Sequence, residues 1–266
     1  MTDQLAAVIL GLVQGLTEFL PVSSTAHLIL VSSVLKLDAE KFGLSFDVAL
    51  HLGTALAVLL YFARTWIGLV ADVLHGRWRL PLVIVVGTIP AAIAGVLLES
   101  AVSTTLRSMV FIVIGLLVGS AIFVAAERMS SRMRSLDRLT IGDALIIGAA
   151  QAVALLPGIS RSGITISTGL FRGLERADAT RFAFLLATPV ILGAGLKTLL
   201  DARKLAGLTA ELDIVAIGFV VSFASGLAAV AFMVRYLRAH SLNVFVIYRV
   251  LLAIVIIAAL ALGVVS

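Results

Sequence analysis

Two polar clusters carry the reactive residue types in a chain that is otherwise strongly apolar. One is PGISRSGIT, Pro157 to Thr165, which sets Arg161 among Ser160, Ser162 and Thr165. Its flanks, Gly142 to Leu156 and Ile166 to Phe171, carry no charge after Asp143. A guanidinium at bilayer depth costs at least about 2.5–3.5 kcal/mol, so an arginine there is a functional-site candidate. The Pro157–Gly158 pair breaks one helix, and a helix starting after it aims free backbone N–H groups at a bound anion. The other cluster lies near the N-terminus. Gln14 and Glu18 are spaced to share a helix face, and Ser23, Ser24, Thr25 and His27 follow Pro21. If the two tips meet, they join an acid or base, a nucleophile and an anion clamp. That set suits phosphoryl transfer or phosphoanhydride hydrolysis. In a dry site Glu18 needs a compensating cation to remain charged.

The elements that position these clusters must cross a membrane. Of 266 residues, 61% are hydrophobic and only 13% charged, with mean hydropathy +1.16. Soluble domains carry about 25% charge, which excludes that class. Leu80–Leu98, Ser108–Ala126 and Ile214–Val234 are uncharged runs near the roughly 20 residues a span needs. The net charge of +5 is spread among loops and reads as cytoplasmic anchoring in a lipid bilayer, not nucleic-acid binding. With no cysteine, disulfides, thiol catalysis and Cys-metal sites are excluded. No Lys or Arg precedes Lys36, a poor signal-peptide start, so the first helix is expected to be retained.

Two half-length apolar pieces, Leu5–Leu20 and Thr25–Leu35, flank PVSS and predict a re-entrant hairpin. Phe46–Phe62, Leu82–Leu98 and Ser108–Ala126 read as spans, joined by a basic loop with Arg64, Arg77 and Arg79 and a short connection at Glu99–Arg107. The pattern then restarts. One offset superposes Pro21 on Pro157, Ser24 on Ser160 and Phe46 on Phe182, although QGLTEFLP against QAVALLP needs a gap. The expected fold is an all-α polytopic integral membrane protein of two repeats, 1–136 and 137–266, forming one membrane domain. Each repeat is a re-entrant helical hairpin plus three transmembrane helices.

Charge sets their orientation. The loops at 64–79 and 128–138 are basic and read as cytoplasmic. Three spans make an odd number, so the second copy enters with inverted topology. Asp201, Arg203, Lys204, Glu211 and Asp213 leave the 201–213 loop net negative, as an external loop should be. Arg235 and Arg238 mark an internal loop, and the uncharged GVVS end is external. Inverted repeats place substrate sites near the midplane at broken helices.

Plainer roles compete at several positions. Ser23, Ser24 and Thr25 can cap a helix. Gln14 and Glu18 can be a polar packing face, and His27 an interhelical hydrogen-bond residue. Asp47 and His51 fit a structural or a substrate-lining role equally. His75 and His240 read as solvated, Arg249 as structural, and the arginines at 128–138 as topology anchors.

The stretches QGLTEFLPVSSTAH (Gln14 to His27) and PGISRSGIT resemble the two signature motifs of the undecaprenyl-diphosphate phosphatases of the bacitracin-resistance type. Weaker agreement continues through FAFLLATP (Phe182 to Pro189) and IYR (Ile247 to Arg249). The resemblance implies an enzyme of the bacterial cytoplasmic (inner) membrane that removes the terminal phosphate of undecaprenyl diphosphate. That reaction recycles the lipid carrier for peptidoglycan synthesis and confers bacitracin resistance. It implies a site open to the periplasmic side and a divalent cation, Mg²⁺ or Ca²⁺. Carried over by position, Glu18 and Gln14 manage metal and water. Ser24 is the nucleophile or a substrate contact, His27 the acid or base, and Arg161 the diphosphate ligand. Ser23, Thr25, Gly158, Ser160, Ser162 and Thr165 line the phosphate cradle. Many relatives have Glu where this chain has Gln14, so Glu18 must carry the base role. Attack through a phosphoserine and direct attack by water both remain open.

Inverted repeats with broken helices are also transporter architecture, so a transporter or flippase for an isoprenyl phosphate lipid is the alternative from another class. The type-2 phosphatidate phosphatases need PSGH and a histidine after SR, both missing here. The sequence leaves the oligomeric state open, a homodimer included.

Overall fold

A computed structural model describes residues 1–98, 108–201 and 211–263. The expected connection at 99–107, most of the 201–213 loop and the end of GVVS lie outside the described residues. Among the described residues the regular structure is helical. Within them five helices are long and apolar enough to cross a membrane, or six if one bent pair is counted as a span. The protein is therefore a multi-pass membrane protein.

The first hairpin is α1 (Asp3–Phe19) and α2 (Ser24–Val34), which pack against each other. Thr2 caps α1, its hydroxyl accepting from the Leu5 N–H at 3.3 Å. At 1.5 Å per residue α2 is only about 17 Å long, too short to cross a hydrocarbon core of about 30 Å. α3 (Leu44–Tyr61) and α4 (Ala63–Leu74) meet at a 70° bend. The sequence reading placed a basic loop where α4 stands. α4 buries Leu69 and exposes Ile67, Val70 and Leu74, the pattern of a helix lying along an interface. α5 (Arg79–Leu97) and α6 (Met109–Met129) complete the first half.

A 3₁₀ turn at Leu136–Arg138 leads into the second hairpin, α7 (Ile141–Val153) and α8 (Arg161–Phe171). Thr140 and Asp143 form a reciprocal capping box at the start of α7. Three long helices follow: α9 (Arg176–Leu200), α10 (Leu212–Ala239) and α11 (Asn243–Ala261). The first arm of each hairpin packs on a helix of the opposite half, α1 on α10 and α7 on α5. The largest apolar cluster joins α1 and α3–α11 through residues such as Phe19, Leu69, Phe123, Phe182, Phe184 and Met233.

Buried carboxylates fix the arginine-rich end. Asp143 accepts from Arg134 at 2.7 Å and from Arg172 at 2.6 Å. Burial opposes its charge, but hydrogen bonds from Arg134, Thr140 and Arg172 hold the carboxyl well below the usual carboxylate range. Glu127 accepts from Arg176 Nε at 3.0 Å and from the Leu242 N–H at 2.9 Å, tying α6 to the starts of α9 and α11. Of the arginines read as topology anchors, Arg134 thus also cross-links elements.

Candidate active site

Both helix breaks use the same backbone device. The residue before α2 is Ser23, with φ 75° and ψ 94°, and the residue before α8 is Ser160, with φ 75° and ψ 112°. A positive φ at a residue other than glycine is strained by about 1–3 kcal/mol and persists where its surroundings enforce it. Superposing these two serines moves the hairpin register by one residue from the sequence expectation. Gln14 then faces Gln151 and Glu18 faces Leu155 without a gap, and Ser24 becomes the counterpart of Arg161.

The surroundings that enforce the strain are contacts between the tips. The Gly158 N–H donates to Ser23 Oγ at 3.1 Å, and Ser162 Oγ donates to the Leu20 carbonyl at 3.1 Å. Beneath them lies Arg249, fully buried. Its Nη2 donates to the Gly158 carbonyl at 2.8 Å and to the Gly115 and Leu116 carbonyls at 3.1 and 3.0 Å. Nη1 reaches the Pro21 carbonyl at 3.4 Å, and Nε donates to Ser120 Oγ at 3.1 Å. Its guanidinium also lies 4.7 Å from the centre of the Phe123 ring. One arginine therefore holds a carbonyl of each break. Gly115 lets α6 pass against Pro157 and Gly158, where a Cβ would collide with their backbone.

The tips enclose a cavity of about 200 Å³ lined by Glu18, Ser24, His51, Gln151, Ser160 and Arg161, with Ser23, Thr25, Ala91, Val190 and the Ala154–Pro157 stretch completing the wall. Glu18 is its centre. Its Oε1 pairs with Arg161 Nη2, the cation the sequence called for. Oε2 accepts from Ser24 Oγ at 2.6 Å and from Gln14 Nε2 at 3.0 Å, and His51 Nε2 lies 3.5 Å away. Ser24 and Arg161 are the first residues of α2 and α8, so two helix N-termini face the same space. That arrangement favours an anion.

The remaining expected residues fall elsewhere. His27 does not line the cavity. Its Nδ1 faces the Ser23 carbonyl at 2.8 Å, and its Nε2 faces the Tyr248 hydroxyl at 2.7 Å, with the two rings stacked. A carbonyl only accepts, so Nδ1 carries a proton and the imidazole is bonded on both sides. Thr165 turns back on its own helix, donating to the Arg161 carbonyl at 2.7 Å. Ser162 and Gly158 join the tips, and Gln14 supports Glu18 from behind. His51 and Gln151 are the additions. A role for His51 was legible as one of two options. Gln151 stood opposite Gln14 in the gapped match of QGLTEFLP with QAVALLP, but its own stretch carries no charged or hydroxyl residue that would have marked it as part of a site.

The donor set bears on a divalent cation. Among the described residues there is no group of three or more His, Cys, Asp or Glu side chains that could hold one. Glu18 already pairs with Arg161, and Gln14 Oε1 is a buried acceptor without a hydrogen-bond partner. One carboxylate and one amide oxygen do not make a resident octahedral site, and Gln14 is not in the cavity wall, so Glu18 is the one of the two that would meet a Mg²⁺ arriving on substrate phosphates.

Fold and site together define a multi-pass helical membrane protein with an ion-paired polar cavity between two broken hairpins. The family model described as BacA, bacitracin resistance protein BacA, matches residues 7–255. The chain belongs to this family. It is 46% identical over 254 residues to the undecaprenyl-diphosphatase of Desulforudis audaxviator, covering 94% of this chain and 95% of that protein. It is 39% identical over 256 residues to the undecaprenyl-diphosphatase of Thermodesulfovibrio yellowstonii, with 96% and 97% covered. A Mycobacterium sp. undecaprenyl-diphosphatase is 44% identical over 274 residues, with 98% of each chain covered.

Proposed function

We propose that this protein hydrolyses undecaprenyl diphosphate to undecaprenyl phosphate and inorganic phosphate. The observation that carries the mechanism is the 2.6 Å hydrogen bond from Ser24 Oγ to Glu18 Oε2, with Arg161 on the other oxygen of that carboxylate. The relatives named for this hydrolase favour the enzyme over the carrier reading. A cavity of about 200 Å³ is below the roughly 300–1,000 Å³ of drug-sized pockets. It suits a diphosphate head group, with the isoprenyl chain left to the lipid-facing surface.

An entering diphosphate competes with Glu18 for Arg161. Its oxygens take the guanidinium and the N–H groups that open α2 and α8, and Glu18 is released to act as a base. Glu18 then takes the Ser24 proton while Ser24 Oγ attacks the terminal phosphorus. A bond forms between Oγ and phosphorus, the bridging P–O bond breaks, and undecaprenyl phosphate leaves with the electron pair. Water attacks the phosphoserine next. The Oγ–phosphorus bond breaks, Glu18 returns its proton to Ser24, and inorganic phosphate departs with the oxygen and both protons of the water. A divalent cation, Mg²⁺ or Ca²⁺, arriving on the diphosphate would be held by Glu18 on the protein side and would neutralise part of the diphosphate charge.

The two halves are read as inverted repeats, 1–136 and 137–266. The shared φ of 75° at Ser23 and Ser160 and the crossed packing of α1 on α10 and α7 on α5 support this. The enzyme resides in the bacterial cytoplasmic membrane with the cavity opening outward. Ala91 and Val190 stand about 18 and 21 Å along α5 and α9 from the arginines that begin them, at 1.5 Å per residue. His51 is only about 10 Å along α3 from its opposite end. With the arginine-rich end inside, the cavity falls in the outer half. An outward site fits recycling of the carrier for cell-wall synthesis and bacitracin resistance.

The test is phosphate release from undecaprenyl diphosphate by purified protein in detergent, with and without EDTA. Stoichiometric phosphate and undecaprenyl phosphate are expected. Folded protein that releases none, or that only moves the lipid between leaflets of a vesicle, overturns the reading.

A further inference from the structure

Gln151, near the end of α7, is part of the cavity wall beside Glu18, Ser24, Ser160 and Arg161. It is 2% exposed, and neither its Nε2 nor its Oε1 has a hydrogen-bond partner among the described residues. Buried polar groups left unmet are destabilising, and native structures keep few of them.

Comparison with Gln14 shows how this one arises. Gln14 Nε2 donates to Glu18, one helical turn on, at 3.0 Å, and to Thr54 at 3.5 Å. One turn on from Gln151 stands Leu155, which accepts nothing. On the facing helix α5, the residue lining the cavity is Ala91, equally unable to bond. Gln151 thus keeps the polar head of its counterpart after losing the partner, and the cavity supplies what its neighbours do not.

We infer that Gln151 is a substrate-binding residue: its Nε2 donates to a non-bridging oxygen of the bound diphosphate, and its Oε1 accepts from a water at the same phosphorus. The inference rests on the lipid-diphosphate reading above. The assignment of the two atoms follows from their chemistry. Ionised phosphate oxygens only accept, so they pair with the amide N–H groups. Oε1 cannot bond such an oxygen and requires an O–H donor, which a water provides. A carboxamide that bridges a phosphoryl oxygen and a water places the two side by side, a role glutamine also plays in phosphoryl transfer on other folds.

The experiment uses the full chain in detergent with Gln151→Leu, which keeps the bulk and removes both hydrogen-bonding atoms. Three quantities are read: KM and kcat for undecaprenyl diphosphate, the thermal midpoint without ligand, and the midpoint shift given by inorganic pyrophosphate. KM is expected to rise about tenfold or more, the ratio given by about 1.4 kcal/mol of lost binding. The pyrophosphate shift is expected to shrink, and the ligand-free midpoint to stay level or rise because two unmet polar atoms are gone. Gln151→Glu, of nearly the same shape, is expected to raise KM further by setting a carboxylate against the diphosphate.

A parent-like KM in either folded variant overturns the inference. So does a lowered ligand-free midpoint with an unchanged pyrophosphate shift, which would make the amide structural and solvated by a resident water. The two readings fail separately. Absence of hydrolysis by the parent protein defeats the phosphatase reading, while the difference in pyrophosphate shift between parent and variant still decides the role of Gln151.

Discussion

Replacing Arg249 by lysine keeps a buried positive charge and removes the fork that spans both helix breaks. A lysine ammonium is a point donor and cannot reach carbonyls on two breaks and on α6 at once. The contacts at stake are those to Gly158 at 2.8 Å and Pro21 at 3.4 Å. Hydrogen bonds to charged groups are worth about 1.5–3 kcal/mol each. The Pro21 contact is long, so the expected loss is about 2–4 kcal/mol. This matches the strain of about 1–3 kcal/mol at each of Ser23 and Ser160, so the tips relax when the fork is removed. Ser24 and Arg161 directly follow those two serines. A misplacement of about 1 Å costs on the order of a hundredfold in turnover. Arg249→Lys should therefore lower kcat about a hundredfold while the protein still folds with a reduced thermal midpoint. Phosphate release and thermal unfolding on one preparation give both values. Parent-like turnover and midpoint would refute the claim that this arginine sets the geometry of the tips.

Three further outcomes follow from the same contacts. His51→Gln should depress turnover more than His27→Gln, because His51 stands 3.5 Å from Glu18 and lines the cavity; the reverse order in paired kinetic assays would return the acid or base role to His27. Asp143→Asn should lower stability by about 1–3 kcal/mol. The folded carboxyl titrates below its unfolded value of 3.8, so its contribution is present above that value and lost as pH falls below about 4. The gap between the melting midpoints of parent and variant should therefore be constant above about pH 4 and narrow steadily below it; a gap that stays unchanged as pH is lowered below that point would contradict this. Reporter fusions at 70–75 and 203–208 should label opposite sides of the membrane, and same-side labelling would break the inverted repeat.

Much of this was legible from residue types. Low charge and long apolar runs indicate a multi-pass helical protein, and helix breakers beside Glu18 and Arg161 marked where two half-length helices stop. What the sequence hid were matters of register and partnership. A helix at 63–74 looks like a loop because its apolar residues are spaced for an interface and not for a span. His27 and His51 are both imidazoles near the first motif, and only three-dimensional packing shows Tyr248 closing off one of them. Arg249 ends the weakly matching IYR stretch, which does not tell what its side chain holds. Its role depends on carbonyls of Pro21 and Gly158, which any residues in those positions would also present.

In the proposed reaction Ser24, polarised by Glu18, attacks the terminal phosphorus of undecaprenyl diphosphate. The most direct test is phosphate release by Ser24→Ala protein whose thermal midpoint matches the parent. Turnover is expected to fall at least about a hundredfold, the scale of losing one transition-state contact. Turnover within a few-fold of the parent would contradict it.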